Sequence, residues 1–174
     1  TFQHFITHAP WSAARMWRIL RAQIPKRRGI LLLNDTGFPK KGEHSVGVAR
    51  QYTGSLGKIG NCQVAVTAAL WTGVRAWWVG AALYLPESWT SDAARRERTH
   101  VPETVRFQKK WELALCLLHQ VRAAGLTIIA VLSDSGYGDA TTFRTALHRL
   151  KLAYGLGVSA TLTVFLGQPQ VQGP

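Results

Sequence analysis

Four consecutive apolar residues, Ile30 to Leu33, stop at a polar pair, Asn34 and Asp35, and Thr36-Gly37 follows. A short apolar run closed by a turn signal reads as a buried strand. Gly29 to Asp35 is therefore an interior β-strand, and Asp35 stands at its rim, on rigid backbone and open to solvent. A second arrangement of the same kind comes far downstream, where Leu126 to Leu132 is apolar and Ser133-Asp134-Ser135-Gly136 follows. Any fold this chain adopts must bury both runs. The functional question is whether it also brings Asp35 and Asp134 into one site.

The remaining elements follow from local pattern. Pro10 to Ile24 reads as a helix with Ser12 as its cap and Met16, Trp17, Leu20 and Ile24 on one face. Arg15, Arg18 and Arg21 fall away from that face, which is either solvated or turned to DNA. Thr36 to Gly60 holds six glycines and reads as a long loop. Asn61 to Trp71 and Arg75 to Leu85 read as a hairpin turning at Thr72-Gly73. Within it, Trp77 and Trp78 divide between sheet packing and contact with a partner. Pro86 to Pro102 is a polar insertion. Glu103 to Ala124 reads as a helix that buries Val105, Leu113, Leu117 and Val121 and ends at Gly125. Asp139 to Lys151 is a further helix, with Asp139 near its positive end. Leu152 to Val158 is a short strand, and Ala160 to Phe165 is a candidate for another. The order β, loop, β, β, α, β, α, β gives an α/β fold with a mixed sheet flanked by helices. It matches the ribonuclease H-like fold, in which the first and fourth strands lie side by side.

Composition narrows the function. An apolar fraction of 47% over 174 residues supports one folded domain and excludes a disordered chain. Twenty-one Lys and Arg against nine Asp and Glu give a net charge of +12, which favours a polyanion, and nucleic acid over a membrane. Six of those cations and no acid lie in residues 1–28, read as a basic N-terminal helical flank. Cys62 and Cys116 form no CxxC pair, so they suggest no zinc site; both read as buried free thiols in a reducing compartment. No signal peptide and no apolar run of about 18 residues is evident, so a cytoplasmic protein without membrane partners is expected.

Two carboxylates at neighbouring strand ends repel unless a cation lies between them. Mg²⁺ (or Mn²⁺) suits such a pair, since it takes a few carboxylates together with water and substrate phosphate. Two metals can then activate the attacking oxygen and stabilise the leaving one in an in-line phosphoryl transfer. The alternative is that each Asp caps a turn, for which DTG and DSGYG are good sequences. After Asp35 come Lys40, Lys41, His44, Arg50, Tyr52 and Lys58. These cations and the glycine amides could hold DNA phosphates, and Tyr52 could stack on an unpaired base; the alternative is an ordinary basic surface loop.

The blocks NDTGFPKKGEHSVGVARQYTGSLGKIGNCQVAV (34–66), LYLPESW (83–89), KWELAL (110–115) and SDSGYGD (133–139) resemble bacterial insertion-sequence transposases of the DDE endonuclease superfamily. The resemblance covers most of residues 1–158. It implies a ribonuclease H-like catalytic domain over residues 29–174, with two Asp and one Glu holding divalent metal. It also implies DNA cleavage at transposon ends followed by strand transfer into a target, in a nucleoid-associated bacterial protein, and it allows a homo-oligomer on DNA. Residue by residue, the family's first Asp falls on Asp35 and its second on Asp134. The family commonly has two acids before TG, and here the first of them is Asn34. Its Glu lies downstream of the second Asp, where this chain offers only Asp139. Glu112 is the remaining candidate, although it also reads as a solvated helix residue. The chain is therefore read as a catalytic domain incomplete at its C-terminus, cut off before the third acid, with weak or absent activity. The alternative is a catalytically dead DNA-binding remnant.

Overall fold

β1 (Arg28–Pro39) is the strand on which the rest is built. It pairs antiparallel with β3 (Lys58–Trp71) and parallel with β5 (Thr127–Ser133). The computed structural model describes residues 4, 8–10, 12–54 and 56–164. Among them, six strands form one mixed sheet ordered β2-β3-β1-β5-β6, with β4 also pairing β3. β2 is Ala49–Thr53, β4 is Ala76–Tyr84 and β6 is Ala153–Leu156. The helices are α1 (Ala13–Ala22), α2 (Glu87–Thr90), α3 (Ala93–Arg98), α4 (Lys110–Ala123), α5 (Ser135–Gly138) and α6 (Thr141–Arg149).

The alternation of the strands selects the covered face. Leu31 and Leu33, Val66, Ala68 and Leu70, and Val131 are buried on one side of the sheet. Ala114, Leu117, Leu118 and Val121 of α4 close on them, with Phe143 and Leu147 of α6. Burying branched side chains on both partners supplies the main stabilisation. The positions between them are more open: Leu132 and Trp78 are exposed, while Trp77 is half-buried against the core.

The expected α/β sheet flanked by helices is present, and the two apolar runs do lie side by side. Several boundaries differ. The helix expected over 10–24 is Ala13–Ala22, because the Ser12 hydroxyl accepts the Arg15 N–H and starts it there. Its Met16 and Leu20 are exposed, and burial falls on Ile24 beyond the helix. Arg21, expected to face away, is turned inward. The register of β3 on β4 shifts between Ala68 and Ala69, leaving Val79 as a bulge, and Arg21 Nε donates to the Val79 carbonyl at 2.8 Å.

The expected loop over 36–60 is largely strand. β1 continues to Pro39, β2 occupies 49–53 and β3 begins at Lys58. Gly37 is glycine because the Thr53 side chain lies where its Cβ would be, and so it marks a close approach inside a strand. The expected helix over 103–124 begins only at Lys110, where Glu112 Oε2 reaches back to accept the Lys109 N–H at 2.6 Å. Val105 therefore lies outside it, half-buried. The helix expected over 139–151 is α6, Thr141–Arg149, and the short α5 precedes it, with Ala140 extended between them. Residues 160–164 form a turn and no strand; Phe165 lies outside the described residues. The polar insertion carries two short helices, α2 and α3. Cys62 is buried, but Cys116 is exposed, because it sits on the outer side of α4.

Arg21→Met should lower stability by about 1–2 kcal/mol, because a buried carbonyl loses its donor. Arg18→Met, on the exposed side of the same helix, should stay within about 0.5 kcal/mol. Urea unfolding midpoints measure both, and equal effects would remove Arg21 from this role.

Candidate functional site

Asp35 leaves the buried part of β1 between exposed Asn34 and half-buried Thr36. Its backbone is fixed by pairing with Val66 of β3, and its N–H is taken by Asn34 Oδ1 at 2.9 Å. The carboxylate is held from two helices. Lys110 Nζ, on the first residue of α4, lies 2.5 Å from Oδ2. The Tyr137 hydroxyl, from α5, donates to Oδ1. Tyr137 itself is buried, with its ring against Phe143.

Asp134 comes directly after β5. The parallel register pairs Leu32 with Leu132, and Ser133 Oγ donates to the Leu33 carbonyl at 2.8 Å. Continued by two residues, this register sets Asp134 level with Asn34, one residue before Asp35. Asp134 caps α5, its Oδ1 accepting the Gly136 N–H at 3.0 Å, and its side chain is exposed. The turn expected of DSGYG is thus real. It is kept tight by Gly138, where a Cβ would meet the Gly157 carbonyl oxygen 1.8 Å away. The tight turn directs Tyr137 inward, to Asp35.

Tyr137 reports on both acids. Its hydroxyl is pushed well above the ordinary phenol range, first by burial, then by the charge and hydrogen bond of Asp35, and then by the charge of Asp134. The two carboxylates therefore act on one buried hydroxyl. Tyr137 keeps its proton and gives its hydrogen bond to Asp35.

The other acids considered from the sequence are engaged elsewhere. Glu112 accepts the Lys109 N–H at the start of α4. Asp139 Oδ1 accepts the Ser159 N–H at 2.8 Å and so holds the chain after β6, before the start of α6. Among the described residues no three His, Cys, Asp or Glu cluster as a metal-holding group. Asp35 and Asp134 nevertheless offer hard oxygen donors at one rim, and Mg²⁺ characteristically takes one or two carboxylates with water and substrate phosphate. The donor set fits such an ion.

The basic candidates lie past Asp35 along β1 and its partners. Lys40 and Lys41 are exposed just after β1, held by Asn61 Nδ2, which donates to the Lys40 and Gly42 carbonyls at 3.0 Å. Arg50 and Tyr52 alternate along β2 and share one exposed face, with Tyr52 paired to exposed Ile59. Lys58 opens β3 opposite Thr53 and is exposed. The sequence reading missed Lys110 and Tyr137. Tyr137 had a signal, as a lone aromatic between two glycines just after Asp134. Lys110 had none, because its partner is 75 residues away.

A mixed sheet of this order, with Asp35 on β1 just past its parallel pairing with β5 and Asp134 directly after β5, has the ribonuclease H-like architecture of the DDE enzymes. The sequence matches the DDE superfamily endonuclease family over residues 1–174, and the chain belongs to that family. It is similar to a probable transposase for insertion sequence element IS701 from Microchaete diplosiphon, 34% identical over 158 residues, covering 87% of this chain. The chain spans 38% of that relative's length. Enzymes of the superfamily generally depend on divalent metal, and transposases act on DNA. No helix among the described residues is long and apolar enough to cross a membrane.

In Asp35→Asn the negative charge beside Tyr137 is lost while burial remains. Its hydroxyl should then ionise at lower pH than in the wild type. Alkaline titration followed by NMR of ring-labelled tyrosine checks this; an unchanged Tyr137 titration would break the Asp35–Tyr137 link.

Proposed function

We propose that Asp35 and Asp134 hold divalent metal, Mg²⁺ or Mn²⁺, in the catalytic core of a transposase, and that residues 29–174 form part of that core behind a basic flank at 1–28. The observation that carries this reading is the parallel register of β1 and β5: past the Leu32–Leu132 pair, Asp134 follows by two residues and Asp35 by three, and the Tyr137 hydroxyl holds Asp35. Bound metal would supply activation of the attacking oxygen and charge relief at the leaving one, for DNA strand cleavage and strand transfer. Tyr137 orients the Asp35 carboxylate. Lys40, Lys41, Arg50 and Lys58 hold DNA phosphates, and Tyr52 stacks on an unpaired base. Glu112 and Asp139 are tied to backbone amides, so two acids are what these residues offer the metal. On its own the chain should therefore cleave weakly or not at all.

Fluorescence anisotropy with labelled duplex DNA over a salt series tests the binding half. Replacing Lys40, Lys41, Arg50 and Lys58 together by Ala should flatten the slope of log K against log salt by about 3 to 4, near 0.9 for each lost phosphate contact. Asp35→Asn should leave that binding nearly intact. Plasmid nicking with Mg²⁺ or Mn²⁺ tests the other half. Any activity should be slight, and should vanish in Asp134→Asn. Vigorous cleavage lost in both Asp134→Asn and Glu112→Gln would assign Glu112 to the metal. DNA binding with no response to metal or to either Asp substitution would favour a non-catalytic DNA-binding remnant.

A further inference from the structure

Both oxygens of Asp35 are already engaged, and one of the partners is a cation. Lys110 Nζ stands 2.5 Å from Oδ2, within contact distance of the oxygen that a metal ion would use. The Tyr137 hydroxyl takes Oδ1. A divalent ion approaching Asp35 meets the ammonium at the same oxygen, and two cations so close repel each other strongly.

Lys110 is built to be displaced. Its side chain is 32% exposed, so it has a path to water, and a lysine stem is long and rotates freely. Its ammonium also lies 5.4 Å from the centroid of the Tyr84 ring, a face that can receive a cation released from the carboxylate. The α4 backbone need not move, because the Glu112 carboxylate on the Lys109 N–H holds the start of the helix independently of the Lys110 side chain.

We infer that Lys110 is an internal counter-ion: it occupies the cation position on Asp35 in the metal-free protein and must leave Oδ2 before a divalent ion can bind there. This rests on the reading of Asp35 and Asp134 as metal ligands. Lys110 spares the free protein an unpaired, half-buried carboxylate, at the cost of weaker metal affinity.

Mn²⁺ binding, measured by electron paramagnetic resonance and by the rise in Tm on adding Mn²⁺, tests the inference without recourse to cleavage. Lys110→Met should bind Mn²⁺ roughly three- to tenfold more tightly than the wild type, as removal of one partly exposed competing charge predicts. Its metal-free Tm should fall, and its Tm gain with Mn²⁺ should be larger. Lys110→Gln, which keeps a hydrogen-bond donor near Asp35 without the charge, should behave alike and covers the case in which the Met variant folds poorly. Lys110→Arg should weaken binding, since the guanidinium fork grips a carboxylate with two parallel bonds. Asp35→Asn and Asp134→Asn identify the site. Mn²⁺ binding that needs both acids but is unchanged or weaker in Lys110→Met and Lys110→Gln overturns the counter-ion role alone. If neither the wild type nor these variants bind Mn²⁺ through the two acids, the metal-site reading falls with it.

Discussion

A carboxylate at the rim of a buried strand keeps one position only if other elements grip it, and Asp35 is gripped by residues 75 and 102 positions away. Lys110 brings the start of α4 to β1, and Tyr137 brings α5. The grip works because the apolar faces of the same helices are already seated on the sheet: Leu117, Leu118 and Val121 place α4, and Phe143 places the segment that follows α5. Hydrophobic burial sets the distances to within a side chain's reach. The ion pair and the hydroxyl then select one arrangement of the rim. The pair is about one-third exposed on each side, so its contribution lies more in positioning than in stability.

The second acid is placed by backbone. Asp134 owes its location to the end of β5 and to the tight turn that follows. The Gly157 N–H bonds the Ser133 carbonyl, and Gly138 lies against the Gly157 carbonyl. A side chain at Gly138 would push α5 away from β6 and carry Tyr137 with it. The SDSGYG block thus encodes three things at once: a strand exit that presents Asp134, a turn without side-chain bulk, and an aromatic hydroxyl directed at Asp35. The turn does not use up the Asp134 carboxylate, because the cap takes only Oδ1.

What the sequence made legible follows from the same division. The strands of Ile30–Leu33 and Leu126–Leu132 were readable because contiguous apolar residues have few other uses, and Asp134 was readable as an exit, whereas β1 runs on past Asp35 to Pro39. β2 was not, because Arg50 and Tyr52 occupy its outward positions and the surrounding glycines suggest a loop. The start of α4 was missed because its cap is Lys109, not Ser, Thr, Asp or Asn, so only Glu112 announced it. Cys116 lies in a helix segment that is apolar nearly all round, LALCLL, and such a run does not tell the buried side from the outer one. Lys110 was hidden for a different reason. A charge pair across 75 residues leaves no local pattern, and it emerges only when the sheet order and the seat of α4 are known.

The surplus of positive charge looks different once the arginines are followed to their partners. Nine acids cannot pair with 21 Lys and Arg, and many guanidinium groups turn to backbone carbonyls instead. Arg21 reaches Val79, Arg27 reaches Arg21 and Ala124, Arg95 reaches Glu43, and Arg96 spans Thr90, Pro102 and Val105. Arg144 donates to Gly138 beside the site. A guanidinium has five donors and no acceptor, so it can satisfy several orphaned carbonyls where chain segments meet outside the regular ladders. Much of the net charge therefore holds the fold together, above all in the insertion between β4 and α4. Arginines committed in this way have fewer donors left for a phosphate. By contrast, Lys40, Lys41, Arg50 and Lys58 are exposed on or beside the hairpin of β2 and β3, past Asp35 along the same sheet. The charge left free of such backbone contacts is thus smaller than +12 suggests, and these four cations are part of it.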